Sequence, residues 1–170
     1  MKKYELTKET KTLADGTVLH RIRALLDIPR HGVKAGDLGG LIEKENNLSQ
    51  DGDAWIFDDA CVYGDARVYD NKEVSGNACV FGNAEVYGNA TVYGNACVSG
   101  DAYIFGNAYI FGDAKVYGNA EVYGNAKVSG DAKVSGDAKV SGKCYEAIVH
   151  AVETIEAAKA EAKGESNGSK

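Results

Sequence analysis

From residue 52 to residue 141 the chain repeats small, polar and apolar residues with a period of six, and no insertion breaks the period. Fifteen consecutive hexads follow the form Gly-(Asn/Asp)-Ala-x-(Val/Ile)-(Tyr/Phe/Ser), as in Gly82-Asn83-Ala84-Glu85-Val86-Tyr87. Ala and Val stand two apart, so both project to one side of an extended segment, while x and the aromatic or Ser residue project to the other. Gly and Asn/Asp follow, the residue types that best tolerate a positive φ. The pattern predicts a short strand and a turn every six residues, which is a coil with flat sides. Three sides close a triangle in 18 residues, and each coil stacks on the last as parallel strands. Fifteen hexads give five coils, about 24 Å of height at ~4.8 Å per strand spacing.

A stack of coils cannot bury its own end faces, so caps are expected. Residues 1–51 read as the first cap and lead-in. Short strands over 4–7 and 18–26 flank the turn Ala14-Asp15-Gly16-Thr17. Leu38-Gly39-Gly40-Leu41-Ile42 and Leu48 then lead into the first coil, with Ile42 and Leu48 in the Ala register. Beyond the repeat, 142–163 reads as a C-terminal unit with a helix over 145–163. There Ile148, Val152, Ile155, Ala158 and Ala162 recur at helical spacing, and Glu146, Glu153 and Glu156 fall off the stripe. That helix would cover the last coil or pack on a neighbouring chain. Residues 164–170 read as a flexible polar tail.

The 90-residue run resembles the hexapeptide-repeat family, whose fold is the left-handed parallel β-helix. The resemblance supplies the hand, because periodicity has none and parallel crossovers are otherwise right-handed. The expected fold is thus an all-β solenoid, a left-handed parallel β-helix of about five triangular coils, with a small N-terminal β cap and a C-terminal α-helix. The lead-in Lys34-Ala35-Gly36-Asp37-Leu38-Gly39-Gly40-Leu41-Ile42-Glu43, followed by Asn47-Leu48-Ser49, is similar to phage and prophage polymer-forming hexapeptide-repeat proteins. That likeness implies a phage origin and a host-cell cytoplasmic location. The family's habit of trimerising around parallel prism axes implies a homotrimer.

Composition narrows the function classes. A chain of 170 residues favours one domain, and 44% hydrophobic residues speak against global disorder. Net charge is −6 with no basic stretch, which argues against a dedicated nucleic-acid binder. No apolar run approaches the ~18 residues of a membrane span, and no signal-peptide core follows Met1-Lys2-Lys3. Four Cys without a secretory signal point to free thiols in a reducing compartment.

Chemistry is sparse. Many hexapeptide-repeat proteins are acyltransferases with an interface His, but His20, His31 and His150 all lie outside the coils, and no coil ejects a loop. The three-His metal spacing of the carbonic-anhydrase branch is also absent. No catalytic residue, cofactor or metal is therefore expected. Cys61, Cys79 and Cys97 recur every 18 residues and should form a column. The reading is packing by a small apolar residue, since a straight column cannot surround zinc and a disulfide between in-register neighbours is strained. Cys97, near Lys115 and Arg67 by register, is the least unfavourable nucleophile, and it has no His beside it.

The outward aromatics carry more. On one face the last hexad position reads Tyr69, Tyr87, Phe105, Tyr123, aromatic through four coils, with Tyr103 in the neighbouring x column. Exposed aromatic columns of this size mark an interface. Arg67, Lys72, Lys115, Lys133 and Lys139 are the candidate contacts for a small anionic ligand held at subunit clefts. Lys72 stands where fourteen other hexads place Ala, and Asp70 replaces the usual Gly, so a bulge is expected that lets Lys72 reach solvent or Asp53. The expected function is a non-enzymatic structural or interaction protein, a rigid trimeric prism binding an unidentified protein partner. The alternatives are a binder of a small anion such as a nucleotide or acyl-CoA, and a hexapeptide acyltransferase relative.

Overall fold

The computed structural model of the chain describes residues 1–70, 73–145, 148–150 and 154–155. Its body is an all-β parallel solenoid of about five coils. The strands fall into three sheets of nine, six and six, one per side of the coil. Cys61–Val62, Cys79–Val80 and Cys97–Val98 stack in register on what we call the cysteine face. Trp55–Ile56, Glu73–Val74 and Thr91–Val92 begin the groove face, and Arg67–Val68, Glu85–Val86 and Tyr103–Ile104 the aromatic face.

The hexad dictates this packing. Every described Ala and Val/Ile of the repeat, from Ala54 to Val140, is at most 1% exposed. Each fully buried Val contributes about 1.5–3 kcal/mol, so a thin interior is repaid by repetition. Backbone bonds run from coil to coil at the corners as well as along the sides: Asn83 donates to Gly100 at 2.8 Å and Glu85 to Ala102 at 2.9 Å. Corner glycines are required twice over. Gly100 has φ +71°, and a Cβ there would lie 2.8 Å from the Gly118 nitrogen.

Strands β1 (Tyr4–Thr12) and β2 (Val18–Ala24) form an antiparallel hairpin around the expected turn, β1 running further than the 4–7 read from the sequence. Strand β3 (Leu38–Ile42) pairs antiparallel with β2 and parallel with Cys61–Val62, so the cap continues the cysteine face. Ile42 and Leu48 are buried as their register requires. Trp55 departs from its register: it occupies the outward x column yet is fully buried, with Tyr4 edge-on at 6.4 Å. The cap covers the outside of the first coil as well as its end.

At the other end the helix expected over 145–163 is corrected where residues are described. Lys143–Tyr145, Ile148–His150 and Thr154–Ile155 are strands, one on each face, and His150 therefore lies in a strand. An open coil end presents unpaired N–H and C=O groups that template a further strand, and this outweighs a helical stripe. The rest of that segment and the tail lie outside the described residues, as does Lys72. Glu73, the next described residue, pairs in register with both Trp55 and Thr91. No helix among the described residues is long and apolar enough to cross a membrane.

Candidate functional site

Three surfaces carry the side chains that could do chemistry or binding, one on each face. On the aromatic face the predicted column forms: Tyr69, Tyr87, Phe105 and Tyr123 stack with centroids 5.3, 5.2 and 5.3 Å apart and planes within 11° of parallel. In-register parallel pairing makes this unavoidable, since it sets each ring above the ring one coil earlier. All four are half-buried, whereas Tyr103 beside them is 41% exposed. Charges on this face are largely satisfied within it. Lys139 pairs with Glu121 at 3.0 Å, and the Tyr69 hydroxyl donates to Glu85 at 2.8 Å. Burial, then the Glu85 carboxylate, hold the Tyr69 phenol well above its ordinary range.

Of the expected ligand contacts, the four that are described lie on two faces of the chain. Arg67 and Lys139 lie on the aromatic face, at opposite ends, and Arg67 lines a hollow of about 400 Å³ with Tyr69, Glu45 and Gln50. Lys115 and Lys133 continue the cysteine column, exposed and in register with Cys97.

The groove face holds what sequence reasoning missed. Ile28 and Val33 bridge to close a loop that turns through Pro29–His31 and exits at Gly32, φ 68°. The loop sets His31 edge-on to Phe57 at 5.9 Å, its Nδ1 4.0 Å from Glu73, and brings Arg30 Nη2 within 3.4 Å of Asn89 Oδ1. From Asn89 the corner amides run on as a ladder: Asn89 donates to Asn107 at 3.3 Å and Asn107 to Asn125 at 3.2 Å. With Thr91, Tyr109 and Lys127 they line an open groove of about 600 Å³. Lys127 Nζ sits 5.8 Å from the Tyr109 ring centroid. Neither Arg30 nor Lys127 meets a carboxylate among the described residues, so the groove has a free cation toward each end. Burial holds the His31 pKa below its ordinary value, and Nε2 is buried with no hydrogen-bond partner among the described residues. The 18-residue spacing of the Asn ladder was present in the sequence; that the Pro29 loop would fold onto it was not.

On the cysteine face the three thiols stack as the period demands, but unevenly. Cys61 and Cys79 turn toward each other, Sγ to Sγ 2.7 Å, and no comparable contact joins Cys79 to Cys97. Cys61 is 3% exposed under Leu19 and Leu41, while Cys79 is half-buried. Among the described residues no group of three or more His, Cys, Asp or Glu is placed to hold a metal ion.

Residues 84–100 match the family model described as YdcK Beta solenoid repeat. That stretch runs from Ala84 through Tyr87 and Tyr93 to Gly100, so the chain is similar to this solenoid repeat over about one coil. No curated protein matches the chain significantly.

Proposed function

We propose that this chain is a non-enzymatic structural or interaction protein, a rigid prism that assembles as a homotrimer through its aromatic face and presents its caps and Lys-rich end to a protein partner. The observation that carries the reading is the unbroken stack Tyr69–Tyr87–Phe105–Tyr123 beside an exposed Tyr103. A flat aromatic wall beside the paired Glu121 and Lys139 loses little on desolvation, which suits a buried interface. The mechanism is presentation: hydrogen-bonded coils resist bending, so a partner meets side chains in fixed positions. In the same reading the coils wind left-handed, the chain is of phage or prophage descent, and it acts in the cytoplasm. These three points rest on the hexapeptide-repeat resemblance alone.

A second reading is favoured by the groove. Arg30 and Lys127, which meet no carboxylate among the described residues and are joined by amide donors, suit a small anionic ligand with several acceptor groups. Native mass spectrometry on protein taken directly from lysate separates the two. A trimer without added mass supports the first. A small molecule retained by wild type and lost on Arg30→Ala with Lys127→Ala supports the second.

A further inference from the structure

Cys61 and Cys79 face each other directly across two parallel strands. Their Cα atoms are about one strand spacing apart, ~4.8 Å, inside the range that a disulfide spans. Both are free thiols, and their sulfurs, at 2.7 Å, are already closer than two unbonded sulfurs ordinarily approach. We propose that Cys61 and Cys79 form a reversible redox pair, in which a hydroperoxide oxidises Cys79 and Cys61 resolves the product to a disulfide.

The environment divides the labour. Cys79 is half-buried, and its contact with the Cys61 thiol, helped by the Lys11 ammonium on the cap hairpin, lowers its pKa. Cys61 is buried, and the hydrogen bond with Cys79, then desolvation, hold its thiol far up and protonated. Cys97 is pushed up by burial. The accessible, acidified thiol is the attacking group, and the buried one the resolving group. By register alone Cys97, which Lys115 follows in the column, is only the least unfavourable nucleophile. The deciding contact is instead with Cys61, to which Lys11 of the cap adds.

The chemistry balances. The Cys79 thiolate attacks the terminal peroxide oxygen; an S–O bond forms, the O–O bond breaks, and the leaving alkoxide or hydroxide takes a proton. Cys79 is now a sulfenic acid. The Cys61 sulfur then attacks the Cys79 sulfur, an S–S bond forms, and the S–O bond breaks. The departing hydroxide takes the Cys61 proton and leaves as water. Two thiols and one hydroperoxide become one disulfide, one alcohol (or water) and one water. Flat in-register strands hold the Cβ atoms further apart than a relaxed disulfide prefers, so an external dithiol reduces the bond readily. When formed, it staples the first coil to the second beneath Leu13 and Leu19 of the cap.

The test uses the full-length reduced chain, hydrogen peroxide at near-stoichiometric amount, and non-reducing peptide mapping. The expected product lacks two hydrogens, links Cys61 to Cys79, and reverts with dithiothreitol. Cys61→Ser should instead gain one oxygen on Cys79, trapped by dimedone, and Cys97→Ser should behave as wild type. Near neutral pH, wild-type Cys79 should alkylate about tenfold faster than Cys97. A link to Cys97 or Cys144, or Cys79 reacting no faster than Cys97, would overturn the proposal. Wild-type mapping and alkylation decide the matter even where Cys61→Ser fails to fold.

Discussion

Asp70 accepts the amide N–H of Gly88, one coil further on, at 3.1 Å, from a backbone held at φ 69°. Asp58 does the same for Gly76, at 3.1 Å and φ 53°. These are the two places where a corner of the repeat has lost its glycine. A left-handed conformation costs an L-residue about 1–2 kcal/mol, and here a charge-assisted hydrogen bond offsets it.

That compensation makes a specific ordering expected in urea unfolding. Asp70→Gly removes the bond and the strain together and should change stability by less than about 1 kcal/mol. Asp70→Ala keeps the strain and loses the bond, and should destabilise by roughly 1–3 kcal/mol. The reverse ordering would show that the corner is not held this way.

Gly100 and Gly124 separate two demands that the repeat combines. Both have positive φ, 71° and 64°. A Cβ at Gly100 would lie 2.8 Å from the Gly118 nitrogen, whereas at Gly124 it would meet only the Ser141 carbonyl at 4.0 Å. Gly124→Ala should therefore cost only the backbone term, about 1–2 kcal/mol. Gly100→Ala should add the clash, for roughly 2–4 kcal/mol in all. Equal losses in thermal or urea unfolding would mean that coils slide apart at no cost.

The architecture was legible because repetition amplifies it. One hexad is an ambiguous run of apolar and polar residues, but fifteen in phase point to a three-sided coil. The Cys and aromatic columns followed from the same arithmetic, which also placed Lys115 after Cys97. The groove did not follow, because His31 and Arg30 reach Phe57 and Asn89 through a cap loop whose docking is a tertiary event. The uneven thiol column was hidden for the same reason: what distinguishes Cys79 from Cys97 is the close contact with Cys61, which is buried under Leu19 and Leu41 at the cap, with Lys11 adding to it. At Ile148–His150 and Thr154–Ile155, the described part of the expected C-terminal helix, local periodicity met an open sheet edge and strands formed instead.

His31 should give the cap a pH dependence. Burial lowers its pKa below the ordinary value of 6.5, with Arg30 and Lys3 reinforcing that and Glu73 and Asp53 opposing it. As pH falls through about 6.5, the unfolded chain takes up a proton that the folded chain resists, so stability falls with pH. Above that pH the His31 contribution is constant. Urea unfolding of wild type and His31→Phe at about pH 7.5 and about pH 5.5 isolates the effect. The wild type should lose more stability than the variant between the two. Equal losses would place no unfavourable protonation at His31.

Assembly through the aromatic face is the central claim, and multi-angle light scattering on the wild type at micromolar concentration tests it most directly. The expected mass is three times the 18.0 kDa of the chain. Tyr87→Lys with Phe105→Lys, which buries unpaired charges in the contact, should return the mass to that of one chain without loss of β structure. A wild-type mass of 18.0 kDa, or a double variant that remains trimeric, would contradict the account.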